Sequence, residues 1–139
     1  MTMPLAVDTP AIMAILTEET EASAFKAALN ARPLNHCSTV AFLEAFMVLS
    51  SRFSHLNVAG FQDALKALAI ARRPVDVQQS ALAAEAFLRF GKGRHPARLD
   101  LGDCFSHALA KSLNAPLLHR GDDFGRTDIA SATETGARP

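Results

Sequence analysis

The sequence contains no tryptophan and no tyrosine; its aromatic residues are nine phenylalanines. Any aromatic platform for stacking nucleic-acid bases would therefore have to be built from Phe or His. There are two cysteines, Cys37 and Cys104, with no CxxC spacing. That usage excludes a disulfide-stapled scaffold and points to a reducing compartment. The five histidines, His36, His55, His95, His107 and His119, show no zinc spacing. No stretch of ~18 apolar residues occurs, which argues against a membrane span. The opening MTMPLAVDTP has no basic n-region and no cleavage signature, so the expectation is a cytoplasmic protein. Neither sign of charge prevails: Lys plus Arg is 14 and Asp plus Glu is 14. Net charge gives no argument for or against a polyanionic partner, and a local basic stripe beside an acidic pocket is compatible with it.

What is present is a hydrophobic fraction of 49% in 139 residues. That suits one domain with enough apolar surface to cover a sheet with helices. We assign residues 1–130 to this domain and the small, polar residues 131–139 to a flexible tail. Residues 4–7 read as a buried strand ending at Asp8, with a helix starting at Thr9-Pro10. Thr17-Glu18-Glu19 breaks the apolar run and opens a second helix carrying Ala22, Phe25, Ala28 and Leu29. Residues 34–38 read as a strand, Thr39 as the cap of the next helix and Asn57 as the cap of another. Residues 74–77 read as a third strand and 78–90 as a helix. A loop follows at 91–96, then a helix starting at Gly102-Asp103, a strand over 116–119, a turn at 121–123 and a short strand around Ile129. Strands alternating with helices imply an α/β sandwich around a mostly parallel sheet.

In such sheets, sites lie beyond the carboxyl ends of the strands. Asp8 ends the first strand, and Asp122 and Asp123 follow the strand over 116–119. Asp103 stands at a helix start and Glu44 one turn into another helix. Clustered carboxylates repel one another and call for a cation, and oxygen ligands suit Mg²⁺ or Mn²⁺. Taken singly, each residue also reads as a helix cap, a dipole partner or a solvent-facing charge.

Residues 94–129, RHPARLDLGDCFSHALAKSLNAPLLHRGDDFGRTDI, closely resemble the C-terminal signature of the VapC toxins, which are PIN-domain endoribonucleases. LAVDTPAIMAIL at the start is similar to that family's first motif, a strand followed by Asp-Thr. STVAFLEA resembles its second, which supplies Glu44. The likeness runs from residue 4 to about 130. It implies a PIN-like three-layer sandwich and hydrolysis of RNA by a water activated at Mg²⁺ or Mn²⁺, leaving 3′-hydroxyl and 5′-phosphate ends. The implied carboxylates are Asp8, Glu44, Asp103 and one of Asp122 or Asp123, with Asp8 and Asp103 as direct metal ligands. Thr9 would hydrogen-bond a carboxylate or the phosphate. The resemblance also implies a VapB-type antitoxin partner and a homodimer, with helices in residues 11–31 and 40–53 as the apolar faces available to them. One departure is Pro10, where the family commonly has a small residue; proline removes a backbone donor from the site rim.

Arg89, Lys92, Arg94, Arg98 and Arg120 cluster in sequence around the later acidic positions. Arg94, Arg98 and Arg120 are our candidates for holding RNA phosphates; an ordinary solvated loop is the competing reading. His107 reads as an incidental polar position and Cys104 as a small packing residue. The main rival is a catalytically silent PIN-like module that only binds an antitoxin. A haloacid-dehalogenase-like phosphatase needs an Asp where Pro10 stands, and a receiver domain needs an early acidic pair that is missing.

Overall fold

In the computed structural model, which describes residues 4–121 and 124–132, the apolar run after Pro4 forms β1 (Ala6–Val7). Asp8 stands at the N-cap position of the helix that follows, α1 (Thr9–Leu16), without a side-chain capping hydrogen bond, and Pro10 falls in its first turn, where the helix needs no N–H. Next come α2 (Ala22–Asn30), β2 (Asn35–Ser38), α3 (Thr39–Arg52), α4 (Val58–Ala67) and β3 (Ile70–Arg73). The chain continues with α5 (Val77–Phe90), α6 (Leu101–Leu113), β4 (Leu117–Leu118) and a 3-10 turn at Phe124–Arg126.

The four strands are parallel and lie in the order β3-β2-β1-β4. Alternation along each strand divides the core into two layers. Leu5, Val7, Cys37 and Leu118 pack with α1, α2, α3 and α4, including Ile12, Phe25, Leu49 and Phe61. Ala6 and Leu117 face the other way, onto Ala86 and Phe90 of α5 and Cys104, Ala108 and Leu109 of α6. The result is a three-layer α/β sandwich, as expected for an α/β alternation with a mostly parallel sheet.

Several boundaries differ from the sequence reading. The third strand is Ile70–Arg73, not 74–77: Ala69 at φ +58 turns the chain sharply out of α4, and the next residues pair with β2. Asp76 instead accepts from the Gln79 N–H as the cap of α5. Ser38, not Thr39, caps α3 by accepting from the Val40 N–H. The second helix starts at Ala22, three residues beyond Glu19. Near Ile129 there is no strand, only a bridge in which Ser131 pairs with Leu117. Asp122, Asp123 and residues 133–139 lie outside the described residues.

Candidate active site

The sheet order reverses direction at β1, since β2 and β3 lie on one side of it and β4 on the other. The carboxyl end of β1 is thus a topological switch point, where an open α/β sheet leaves a crevice. Asp8 stands directly there and is 2% exposed. Its Oδ1 accepts a 2.7 Å hydrogen bond from Ser106 Oγ on α6. Thr9 Oγ1 donates to Glu44 Oε1 of α3 at 3.0 Å. The Glu44 carboxylate in turn lies against Gly102, where a Cβ would overlap both of its oxygens. Asp103, one residue on, is tied into a reciprocal cap. Its Oδ2 accepts from the Asp100 N–H and Asp100 Oδ1 accepts from the Asp103 N–H, each at 3.0 Å.

Three distant segments thus bring Asp8, Glu44 and Asp103 to one edge, and their electrostatics are coupled. Burial pushes the Asp8 carboxyl up to about 7; the Ser106 hydrogen bond opposes this, while the charges of Glu44 and Asp100 add to it. Burial likewise lifts Asp103 to about 8, with the charges of Asp8 and Asp100 adding to the rise. Glu44 is raised by burial and by the Asp100 charge, against the hydrogen bond from Thr9. Carboxyls raised by burial and by one another's charge at the end of a central strand make this edge a candidate functional site. Among the described residues, no three His, Cys, Asp or Glu side chains converge on a metal-holding geometry.

The sequence-predicted cations separate into different roles. Arg98 lines a cavity of about 330 Å³ with Lys92, Asp100 and Asp103. The Arg94 guanidinium lies 5.2 Å from the centre of the Phe87 ring. Arg120 is engaged by Glu19 at 2.7 Å and by Glu21 at 2.9 Å, on the side of α2. Arg89 pairs with Asp128.

Sequence reasoning passed over Asp100, Gly102, Ser106 and Asp128. The Asp100-x-x-Asp103 spacing is that of a capping box and could have been found. Ser106 stands three residues after Asp103, the spacing of one helix face. His107 is not incidental. It is 2% exposed and its Nε2 sits 2.8 Å from Asp128 Oδ1, locking the C-terminal segment onto α6. Burial lifts the Cys104 thiol to about 11, in keeping with its reading as a small packing residue.

The PIN-domain family model matches residues 5–130. A protein named Ribonuclease VapC from Mycolicibacterium smegmatis is 40% identical over 127 residues, covering 91% of this chain and 98% of that one. Ribonuclease VapC30 of Mycobacterium tuberculosis is 39% identical, covering 91% of this chain and 97% of its own. Among solved structures, Mycobacterium tuberculosis VapC20, titled a sarcin-ricin loop cleaving toxin, superposes with a TM-score of 0.69. It shares 18% identity, over 91% of this chain and 96% of that one. A toxin–antitoxin complex from Klebsiella pneumoniae reaches 0.68 at 20% identity, over 92% and 97%. With the family match spanning almost all of the described fold and these relatives aligned nearly end to end, the chain belongs to the PIN-domain family, among the proteins named VapC ribonucleases.

Proposed function

We propose that this protein is the toxin of a toxin–antitoxin pair and a divalent-metal-dependent endoribonuclease. The observation that supports this most is the coupled cluster of Asp8, Glu44 and Asp103 at the switch point of the sheet. The donor chemistry fits a hard divalent cation: three carboxylates, no soft ligand, and acid groups whose charges oppose one another. Asp8 and Asp103 would hold the ion directly, Glu44 would bind it or orient a water, and one of Asp122 or Asp123 would complete the four. When bound, Mg²⁺ or Mn²⁺ would supply a Lewis acid for the phosphate and a water of lowered pKa.

The protein's own part is positioning. Ser106 fixes one Asp8 oxygen, and Thr9 fixes one Glu44 oxygen. The capping box fixes one Asp103 oxygen, leaving the other available. The small Gly102 leaves room for Glu44 to reach the edge. A cation held there would displace the protons that burial keeps on Asp8 and Asp103. RNA is bound through backbone and shape, since Trp and Tyr are absent.

The partner we assign is a VapB-type antitoxin. Leu43, Met47 and Val48 of α3 and Phe53 beside it are exposed apolar residues available to it or to a second copy in a homodimer. No helix among the described residues is long and apolar enough to cross a membrane, and we place the protein in the cytoplasm. Purified, antitoxin-free protein is expected to cut a member of a panel of structured RNAs with Mn²⁺ and none with EDTA. A folded protein that binds antitoxin yet cuts nothing would instead be the silent binding module.

A further inference from the structure

The loop between α5 and α6 is built more rigidly than its glycines suggest. Gly91 and Leu99 form a parallel bridge, with Lys92 N–H donating to the Leu99 carbonyl at 2.9 Å and Leu99 N–H to the Phe90 carbonyl at 3.0 Å. Arg94 and His95 N–H both return to the Gly91 carbonyl, and Arg98 N–H donates to the His95 carbonyl. His95 Nδ1 accepts from the Ala97 N–H, and its ring stands edge-on to Phe90. Ala97 and Leu99 are fully buried anchors. Gly91 itself has no substitute, because a Cβ there would overlap the Phe87 ring and carbonyl.

This framework holds Lys92 and Arg98 on either flank of the bridge. Arg98 adopts φ +57, a left-handed conformation costly for a residue with a Cβ. Strain of that kind is kept where the surroundings over-determine it, and it clusters at ligand clamps. Both side chains are exposed, and among the described residues neither forms an ion pair, although Asp100 and Asp103 line the same cavity. The other cations of the sequence cluster, Arg89, Arg94 and Arg120, are by contrast engaged with Asp128, Phe87 and the Glu19–Glu21 pair.

We propose that Lys92 and Arg98 are the phosphate clamp of this site, gripping the RNA backbone beside the scissile bond and holding it against Asp103. The inference rests on the ribonuclease reading above and names the residues that carry substrate there. A guanidinium offers a planar fork to two phosphate oxygens and an ammonium a point charge, so the pair suits one phosphodiester with its neighbour. The grip is independent of sequence.

The test is binding of a labelled single-stranded RNA to the full chain in EDTA, across a salt series, alongside Mn²⁺-dependent cutting by the wild-type protein. Each phosphate contact on a single strand contributes about 0.7 to the slope of log K against log salt. Lys92→Met and Arg98→Met are expected to lower that slope by about 0.7 each and the double variant by about 1.4. Arg98→Lys should keep the slope, and Lys66→Met on α4 should not change it. Slopes unchanged in the double variant, or wild-type protein that does not bind the RNA, would overturn the clamp. If the wild type cuts RNA while the slopes stay unchanged, the clamp alone fails; if it cuts nothing, the ribonuclease reading fails with it.

Discussion

At the scale of single residues, the proposed site is built from small groups as well as carboxylates. Gly102 is a case where helix propensity and function oppose each other. Alanine would favour the helix by about 1 kcal/mol, yet its Cβ would displace the Glu44 carboxylate. Because that carboxylate is the far end of a flexible chain, Gly102→Ala should leave the thermal midpoint nearly unchanged. RNA cleavage should fall by roughly 10–100-fold, the usual loss when a supporting group is disturbed. Retained cleavage would mean Glu44 is not needed where it stands. Ser106→Ala tests the other support. It removes the donor to Asp8 and should lower cleavage without unfolding the chain, while Ser106→Thr, which keeps the hydroxyl, should restore part of it. The charged members of the cluster were legible in the sequence because an Asp at a strand end and an Asp at a helix start have positional meaning. Ser106 and Gly102 were not, because nothing local says that a serine on α6 will meet an aspartate 98 residues away.

At the scale of elements, the alternation of strands and helices was readable, and the errors came where one signal hid another. Residues 74–77 look like a strand by composition. Pro74 and Asp76 are instead the approach and cap of α5, while Ile70–Arg73 pairs with β2 despite its two arginines. Arg72 resolves the contradiction by lying 4.4 Å from the centre of the Phe42 ring, at the edge of the sheet. The α6 N-terminus serves the fold and the proposed site together, since the capping box that starts the helix also fixes one Asp103 oxygen. Asp100→Ala should therefore cost about 1 kcal/mol of stability in denaturant unfolding and also reduce cleavage. Asp100→Asn, which can still cap, should recover the stability. If both variants matched the wild type in stability, the cap would carry no weight.

At the scale of the whole molecule, the carboxylate cluster burdens the fold in the absence of metal. The unfolded chain loses the Asp8 proton near its ordinary value of ~3.9, whereas the folded chain holds it to about 7. Asp103 behaves alike, to about 8. Between those limits the unfolded state is the more charged, so metal-free stability falls as pH rises from ~4 to ~8. His107 acts in the opposite sense: burial lowers its pKa, so protonation of the unfolded chain weakens the fold as pH drops below ~6.5. Replacing Asp8 separates the two. In EDTA at pH 8, Asp8→Asn should melt higher than the wild type, by a margin that shrinks toward pH 5. Mn²⁺ should raise the wild-type midpoint more than that of the variant. An Asp8→Asn protein less stable than the wild type under those conditions would show that the buried charge is not a burden. The most direct measurement of the central claim is RNA cleavage by antitoxin-free wild type, Asp8→Asn and Asp103→Asn in Mn²⁺. Losing several kcal/mol of charge stabilisation corresponds to a drop of at least about 100-fold in rate. Each single variant is expected to show that loss with its fold intact; cleavage at the wild-type rate by either one would exclude its aspartate from holding the metal.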